Sequence, residues 1–186
     1  AGNMSSAQDG VPRAYTDAKE WYRAGAEAGD PKAQFYLGLT LEDGARDLGA
    51  ARGWFKQAAD NGHALARYKL AVMLRSGKGG PMDLKEARKL YRLAAEQGIV
   101  EAKYNLAVML QDGEGAPVDV KGAARQFESA ARGGVTISFL HLATLSTLGD
   151  TVDLVEAFKW ARLAEEAKVD GAAGYIEVLA PLLSAE

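Results

Sequence analysis

The sequence predicts an all-α fold, a solenoid of about five stacked antiparallel helix pairs. Five segments that align without a gap support this prediction, and they begin at Ala18, Ala51, Ala87, Ala123 and Ala157. Successive segments are 33, 36, 36 and 34 residues apart. Repeats of this length cannot bury an apolar face alone and do so by stacking on their neighbours.

The opening part of each repeat has the pattern of an amphipathic helix. Counted from the opening alanine as offset 0, apolar or small residues recur at offsets 0, 3, 4, 7, 8 and 11, which is one face of an α-helix. Large residues at offset 4, such as Tyr91, stand beside small ones at offset 7, such as Ala94. This alternation allows close helix packing. At offset 11, four repeats have a glycine that is predicted to end the helix in a left-handed conformation: Gly29, Gly62, Gly98 and Gly134.

A second helix is predicted to follow at once in every repeat. Small residues occupy offset 15 and Leu or Ile occupies offset 19, so the two positions share one helix face. The glycines at offset 26 are predicted to end this helix: Gly44, Gly77, Gly113 and Gly149.

Aspartates precede each of the later repeats and are predicted to cap the first helices at their N-termini. They are Asp47, Asp83, Asp119 and Asp153, each four residues before an opening alanine. Two of them, Asp83 with Glu86 and Asp153 with Glu156, also have the spacing of a capping box.

This repeat pattern resembles the Sel-one-like repeat family, a relative of the tetratricopeptide solenoids, from Ala18 to about Leu179. The matching positions are clearest in the third repeat and the loop after it: Ala87, Tyr91, Ala94, Ala95, Gly98, Ala102, Leu106, Gly113, Gly115, Asp119 and Lys121. The resemblance implies a right-handed superhelix whose first helices line a concave surface. It also implies a role in assembling proteins rather than in catalysis.

We expect residues 14–186 to form a single solenoid domain. Its fifth repeat is predicted to act as a terminal cap, because Glu165, Lys168 and Gly174 replace alanine, glycine and a larger apolar residue. Residues 1–13 are expected to be a flexible N-terminus. Part of this segment, the residues before Met4, is expected to be a cloning scar.

Composition bounds the class of protein and of partner. With 48% hydrophobic residues, 25% charged residues and a net charge of -3, the chain is predicted to be a soluble folded protein, a monomer by default. Neither nucleic acid nor membrane insertion is expected, because there is no basic excess and no long apolar run. The absence of cysteine excludes disulfides and thiolate metal sites. Compartment stays open between the cytoplasm and, if an export signal has been removed, the periplasm.

A basic set at offsets 1 and 2 of the first helices is the predicted partner-binding site: Lys19, Arg52, Arg88, Lys89, Arg125 and Lys159. The basic residues at offset 5 have acidic residues four positions later in the same helix, at offset 9. The residues at offsets 1 and 2 have no such acidic set and are expected to be unpaired. The resemblance places them on the concave surface, where they would contact another protein or a peptide, with an acidic peptide as a candidate. The alternative is an ordinary solvated helix face.

Two further columns have structural interpretations. Trp21, Trp54 and Trp160 share offset 3, where we expect core packing, with carbohydrate stacking as the alternative. Residues of opposite charge at offsets 5 and 9 are predicted to pair within each helix, as in Lys56 with Asp60.

No motif for a metal, a cofactor or a catalytic residue is present in the sequence. His63 and His141 occupy different offsets, and the glycine-rich loops lack the ending of a phosphate-binding loop. We therefore predict a non-enzymatic scaffold that binds a peptide segment or a partner domain on its concave helix surface. Two alternatives remain: a cell-envelope carbohydrate-binding or assembly module that uses the aromatic columns, and a cryptic hydrolase.

Overall fold

The computed structural model describes residues 13–44, 46–148 and 152–183, with side chains from residue 20 onward. Within these ranges the regular elements are all α-helices. In chain order they are α1 (Arg13–Glu27), α2 (Pro31–Asp43), α3 (Leu48–Asp60), α4 (Ala64–Ser76), α5 (Leu84–Glu96), α6 (Val100–Asp112), α7 (Val120–Arg132), α8 (Ser138–Ser146), α9 (Leu154–Glu166) and α10 (Ala172–Leu183). None of these helices is both long and apolar enough to cross a membrane.

The chain divides into two compact units, the first ending at Pro81 and the second beginning at Met82. The first unit contains α1 to α4 and the second contains α5 to α10. In each unit every helix packs against the next one along the chain. Short connections between packed helices make each pair antiparallel. The predicted all-α solenoid of about five helix-pair repeats is confirmed, while a single domain over residues 14–186 stays a prediction.

The predicted small-and-large alternation forms the core. The opening alanines are fully buried in the last four repeats, and so are the aromatic rings of Phe55 and Phe127 at offset 4. Gly38 on α2 shows how closely helices approach, because a Cβ atom there would lie 2.6 Å from a ring carbon of Phe55. The distance between the packed helices is thus set by small residues that lie beside large rings.

The predicted helix ends are found wherever the structure describes them, although one of the glycines has a different backbone conformation. The four offset-11 glycines have φ values between +86° and +98°, the left-handed region predicted for them. Gly77 and Gly113 end α4 and α6 in the same way. Gly44 instead has φ -86°, and the positive φ value of this shorter connection falls on Arg46. Gly149 lies outside the described residues.

The aspartate caps are confirmed. Each carboxylate accepts a hydrogen bond from the backbone N–H three residues further on, at 3.0 Å for Asp47 and Asp83 and at 2.8 Å for Asp119 and Asp153. The two predicted capping boxes are wrong, because the glutamates have other partners. Glu86 accepts from Lys89 Nζ at 3.1 Å and Glu156 from Lys159 Nζ at 3.0 Å, each one turn along its own helix.

The two ends of the chain leave two predictions untested. Residues 1–12, predicted to be flexible, lie outside the described part, while Arg13 already belongs to α1. In the fifth repeat, Lys168 has φ 57° where the earlier repeats have glycine, and α10 exposes Val178 and Leu182 beside Glu177. Its role as a terminal cap stays a prediction.

Candidate partner-binding grooves

A basic groove lies between α5 and α7, with α6 forming its floor. It encloses about 470 Å³. Four cations line it: Arg88, Arg92, Lys103 and Arg125. Two carboxylates, Glu96 and Asp119, lie among them, and Leu106 and Leu110 contribute apolar surface. The lining therefore carries an excess of positive charge. We call this site the basic groove.

The cations of the basic groove have no carboxylate partners. Among the described residues, no side-chain nitrogen of these four lies within 4.0 Å of a carboxylate oxygen. The Asp119 carboxylate already accepts the Gly122 N–H at 2.8 Å as the cap of α7. The positive charge of the groove is thus not neutralised by nearby ion pairs.

Arg88 is the most buried of these cations, with 8% of its surface exposed. Its Nη1 donates a long hydrogen bond of 3.4 Å to the Pro117 carbonyl oxygen. Its Nε is buried and has no acceptor among the described residues. A buried guanidinium without a counter-ion is unfavourable, and a bound anion would reduce that cost.

The equivalent residue one repeat earlier, Arg52, has a structural role. Its guanidinium donates to the carbonyl oxygens of Lys78 at 3.4 Å and Pro81 at 2.7 Å. Arg52 therefore fastens the glycine-rich loop between α4 and α5 to the beginning of α3. Binding through Arg52 would compete with this loop contact.

The expectation that the basic set at offsets 1 and 2 is unpaired is wrong for two lysines. Lys89 pairs with Glu86, and Lys159 pairs with Glu156 while its Nζ also lies 4.7 Å from the centre of the Trp160 ring. The prediction for Lys19 lies outside the described side chains. The structure brings together Arg88 and Arg125 from the predicted set.

Sequence reasoning did not assign Arg92 and Lys103 to a site. Arg92 was expected to pair with Glu96, but the two side chains form no ion pair within 4.0 Å although both line the groove. The sequence feature that indicates the groove is Gln126, a polar residue at the offset where three other repeats have tryptophan. Gln126 lines the groove on the α7 side.

Elsewhere the predicted charge pairs form in part. Lys56 lies 2.7 Å from Asp60, and Glu128 pairs with Arg132 at 3.4 Å. Arg162 instead pairs with Glu165, which is three residues along α9. The pairs are exposed, so each contributes little to stability.

The tryptophan column packs on the preceding repeat. Trp54 contacts the cluster of Ala26, Ala33 and Leu37, and Trp160 stacks on Phe139 with ring centroids 6.0 Å apart. Trp21 is 81% exposed, so its predicted core position is wrong. The physical reason is that no described helix precedes α1.

Both histidines have partners within the fold. His63 Nδ1 accepts the Ala66 N–H at 3.2 Å and so caps α4. Burial lowers the pKa of His63, with Lys32 adding to the effect and Asp30 opposing it. The described residues contain no group of three or more side chains that could hold a metal ion.

A second groove lies on the other side of α7, between α7 and α9, and encloses about 530 Å³. Its apolar surface comes from six residues: Val120, Ala124, Leu142, Leu145, Leu148 and Trp160. Lys121 also lines the groove. We call this site the apolar groove. Glutamates at its edge are already paired, Glu128 with Arg132 and Glu156 with Lys159.

These features define a helical-repeat solenoid with grooves between successive first helices. A family model for the Sel1 repeat matches residues 2–30, 31–63, 64–99, 100–135 and 142–168. The chain therefore belongs to the Sel1 repeat family. Proteins of this family generally act as protein–protein interaction scaffolds and are typically non-enzymatic.

Solved structures similar to this chain include a Sel1 repeat protein from Oxalobacter formigenes, which is 31% identical with a TM-score of 0.75. That match covers 84% of this chain and 67% of the other. Another is c5321, a protective antigen of uropathogenic Escherichia coli with an SLR fold. It is 33% identical with a TM-score of 0.72, and the match covers 80% of this chain and 33% of c5321.

Among curated proteins, the chain is 36% identical over 66 residues to the chitin synthase regulator SKT5 of Malassezia restricta. The match covers 34% of this chain and 5% of SKT5. It is therefore a likeness between short repeat segments rather than between whole proteins.

Proposed function

We propose that this chain is a non-enzymatic interaction scaffold that binds an acidic segment of a partner protein in the basic groove. The observation that carries the proposal is the set of four cations that have no carboxylate partner in the part of the chain that the structure describes, one of them buried. The chain as a whole has a net charge of -3, so the attraction is local to the groove.

The groove suits a carboxylate because its arginines present several donors from two helices. Arg88 and Arg92 extend from α5 and Arg125 from α7, and Arg88 is buried. Guanidinium groups form paired, charge-assisted hydrogen bonds with carboxylates. An aspartate or glutamate side chain of a partner segment is thus the ligand that fits the unpaired donors.

The test is a titration of the isotope-labelled full chain with short peptides, followed by backbone NMR shifts. The probe is a blocked pentapeptide, Gly-Glu-Gly-Glu-Gly, and its matched control has glutamine in place of glutamate. We expect the acidic peptide to shift resonances of α5 and α7, and Arg125→Ala to weaken its binding about tenfold, the effect of losing one charge-assisted contact.

Arg132→Ala is the matched control variant. It removes the same charge from the same helix, and its side chain is 82% exposed and lies outside the groove. Equal binding of the glutamine peptide, or equal weakening by Arg132→Ala and Arg125→Ala, would show that the basic groove does not select an acidic segment.

A further inference from the structure

The apolar groove is lined mainly by apolar side chains, and the basic groove beside it is lined by cations. The two grooves therefore favour different residues of a partner. Resting on the proposed function, we infer that the apolar groove seats an apolar side chain of the same partner segment, about three residues from the acidic residue in the basic groove. The protein would then recognise a two-part motif rather than negative charge alone.

The two grooves lie on two sides of α7. Gly122, Arg125 and Ser129 face the basic groove, whereas Ala124 and Glu128 face the apolar groove. Each set follows one helical stripe, with its members three or four residues apart. A segment that lies across the exposed surface of α7 therefore reaches both grooves.

The width of α7 sets the spacing between the two residues of the motif. An α-helix with its side chains is about 10 Å wide, so the centres of grooves on either side of α7 are separated by about that distance. An extended chain advances about 3.3 Å per residue, so about three residues cross the helix. In the extended polyproline II conformation, which advances about 3.1 Å per residue with three residues per turn, side chains three residues apart point to the same side.

Three of the four charged residues that line the apolar groove already have partners, and the fourth, Lys121, is exposed to solvent. Glu128 and Glu156 are ion-paired, and the Asp153 carboxylate accepts the Glu156 N–H at 2.8 Å. Apart from Lys121, the surface that the groove presents is mainly apolar. Val120 is 40% exposed and Leu148 49% exposed above the buried Leu142 and Leu145.

The difference between the two linings favours an apolar side chain of the partner segment as the occupant of the apolar groove. The basic groove presents cations that have no carboxylate partner among the described residues, whereas the apolar groove presents aliphatic side chains, and both grooves lie within reach of one extended segment. The charged residues that line the apolar groove carry a net negative charge, because Glu128, Asp153 and Glu156 outnumber Lys121, so this groove disfavours an acidic side chain. An apolar side chain in the basic groove would leave its cations unpaired. Charge therefore fixes which residue of the segment enters which groove.

The experiment is selection of random twelve-residue peptides displayed on phage against the immobilised full chain. We expect enriched peptides to contain Asp or Glu about three residues from Leu, Ile, Met or Phe. An enriched peptide is then synthesised with its apolar residue intact or changed to glycine, and the affinity of each form is measured by fluorescence anisotropy.

Variants of the protein test where the apolar residue binds. Val120→Ser and Leu148→Ser, singly and together, are expected to weaken binding of the intact peptide about tenfold when combined, and to leave the glycine form unchanged. Val155→Ser is the matched control, because Val155 is 69% exposed on α9 and does not line the groove. Circular dichroism establishes that each variant is folded, and the single variants replace the double one if it is not.

The outcomes separate the two proposals. Enriched acidic peptides that lack a spaced apolar residue, or that bind the Val120→Ser and Leu148→Ser variants as tightly as the parent, overturn the inference and leave the proposed function in place. Enriched peptides without acidic residues, whose binding is unaffected by Arg125→Ala, overturn the proposed function and the inference with it.

Discussion

The imidazole ring of His141 lies nearly parallel to the phenyl ring of Phe127, with ring centroids 4.5 Å apart and an interplanar angle of 9°. Its Nε2 lies 3.2 Å from the Tyr104 hydroxyl and its Nδ1 lies 3.3 Å from Oε1 of Gln111. Burial lowers the pKa of His141, and Asp112 opposes this only in part. The folded protein therefore favours the neutral imidazole.

This lowered pKa predicts how stability depends on pH. The unfolded chain binds more protons at His141 than the folded chain does, so its contribution is complete above the ordinary pKa of 6.5 and is lost as pH falls towards the lower folded pKa. We expect the free energy of unfolding to decrease between pH 7.5 and 5.5, with a smaller decrease in His141→Phe. Urea unfolding at the two pH values measures both, and equal decreases would contradict the prediction.

The Asp83 cap predicts a difference between two small substitutions. Its carboxylate accepts the Glu86 N–H at 3.0 Å at the start of α5. Asp83→Ala is expected to lower the free energy of unfolding by about 1 kcal/mol, whereas Asp83→Asn keeps an acceptor and should cost much less. Chemical denaturation of both variants checks this, and similar losses would mean that charge rather than the cap matters.

Gly115 and Gly98 predict two different costs for the same added methyl group. Both have left-handed backbones, with φ values of +75° and +93°, so each Gly→Ala change should cost about 1 kcal/mol in conformational energy. At Gly115 the new Cβ would also lie 2.5 Å from the Leu84 carbonyl oxygen, whereas nothing lies within 4 Å of it at Gly98. We expect Gly115→Ala to be the more destabilising in thermal unfolding, and equal losses would show that the loop moves aside.

Arg88 and Arg52 occupy equivalent positions but predict opposite effects on stability. Arg52→Met removes a 2.7 Å hydrogen bond to the Pro81 carbonyl oxygen and is expected to lower the free energy of unfolding by about 1 kcal/mol. Arg88→Met removes a buried cation with an unsatisfied Nε and is expected to leave stability unchanged or raised.

The binding measurement completes this comparison. Arg88→Met should weaken binding of the acidic pentapeptide, because Arg88 lines the basic groove and Arg52 does not. A marked loss of stability in Arg88→Met would instead assign Arg88 to the fold, as a fastening for the loop at Pro117.

Properties that depend on neighbours within one repeat were predictable from the sequence. Helix phase, the buried alanines and the caps at Asp47 and Asp119 follow from periodicity and local hydrogen bonding. The fold class follows from the same short-range regularity, repeated at a fixed period.

Properties that depend on contacts between repeats were not predictable in the same way. Arg92 was expected to pair along its own helix, but it faces a groove whose other wall belongs to the next repeat. The capping boxes failed for a different, local reason, because Lys89 and Lys159 compete for the two glutamates within the same helix. Residues at the same offset were also expected to have the same surroundings. This does not hold for Trp21, which is exposed on the first helix.

The different surroundings of the three tryptophans supply built-in optical reporters. Trp54 packs within the unit that ends at Pro81, Trp160 packs within the unit that begins at Met82, and Trp21 faces solvent. Variants that keep Trp54 alone or Trp160 alone would report the unfolding of one unit each through their emission spectra. The two halves of the protein can thus be followed separately without attaching any dye.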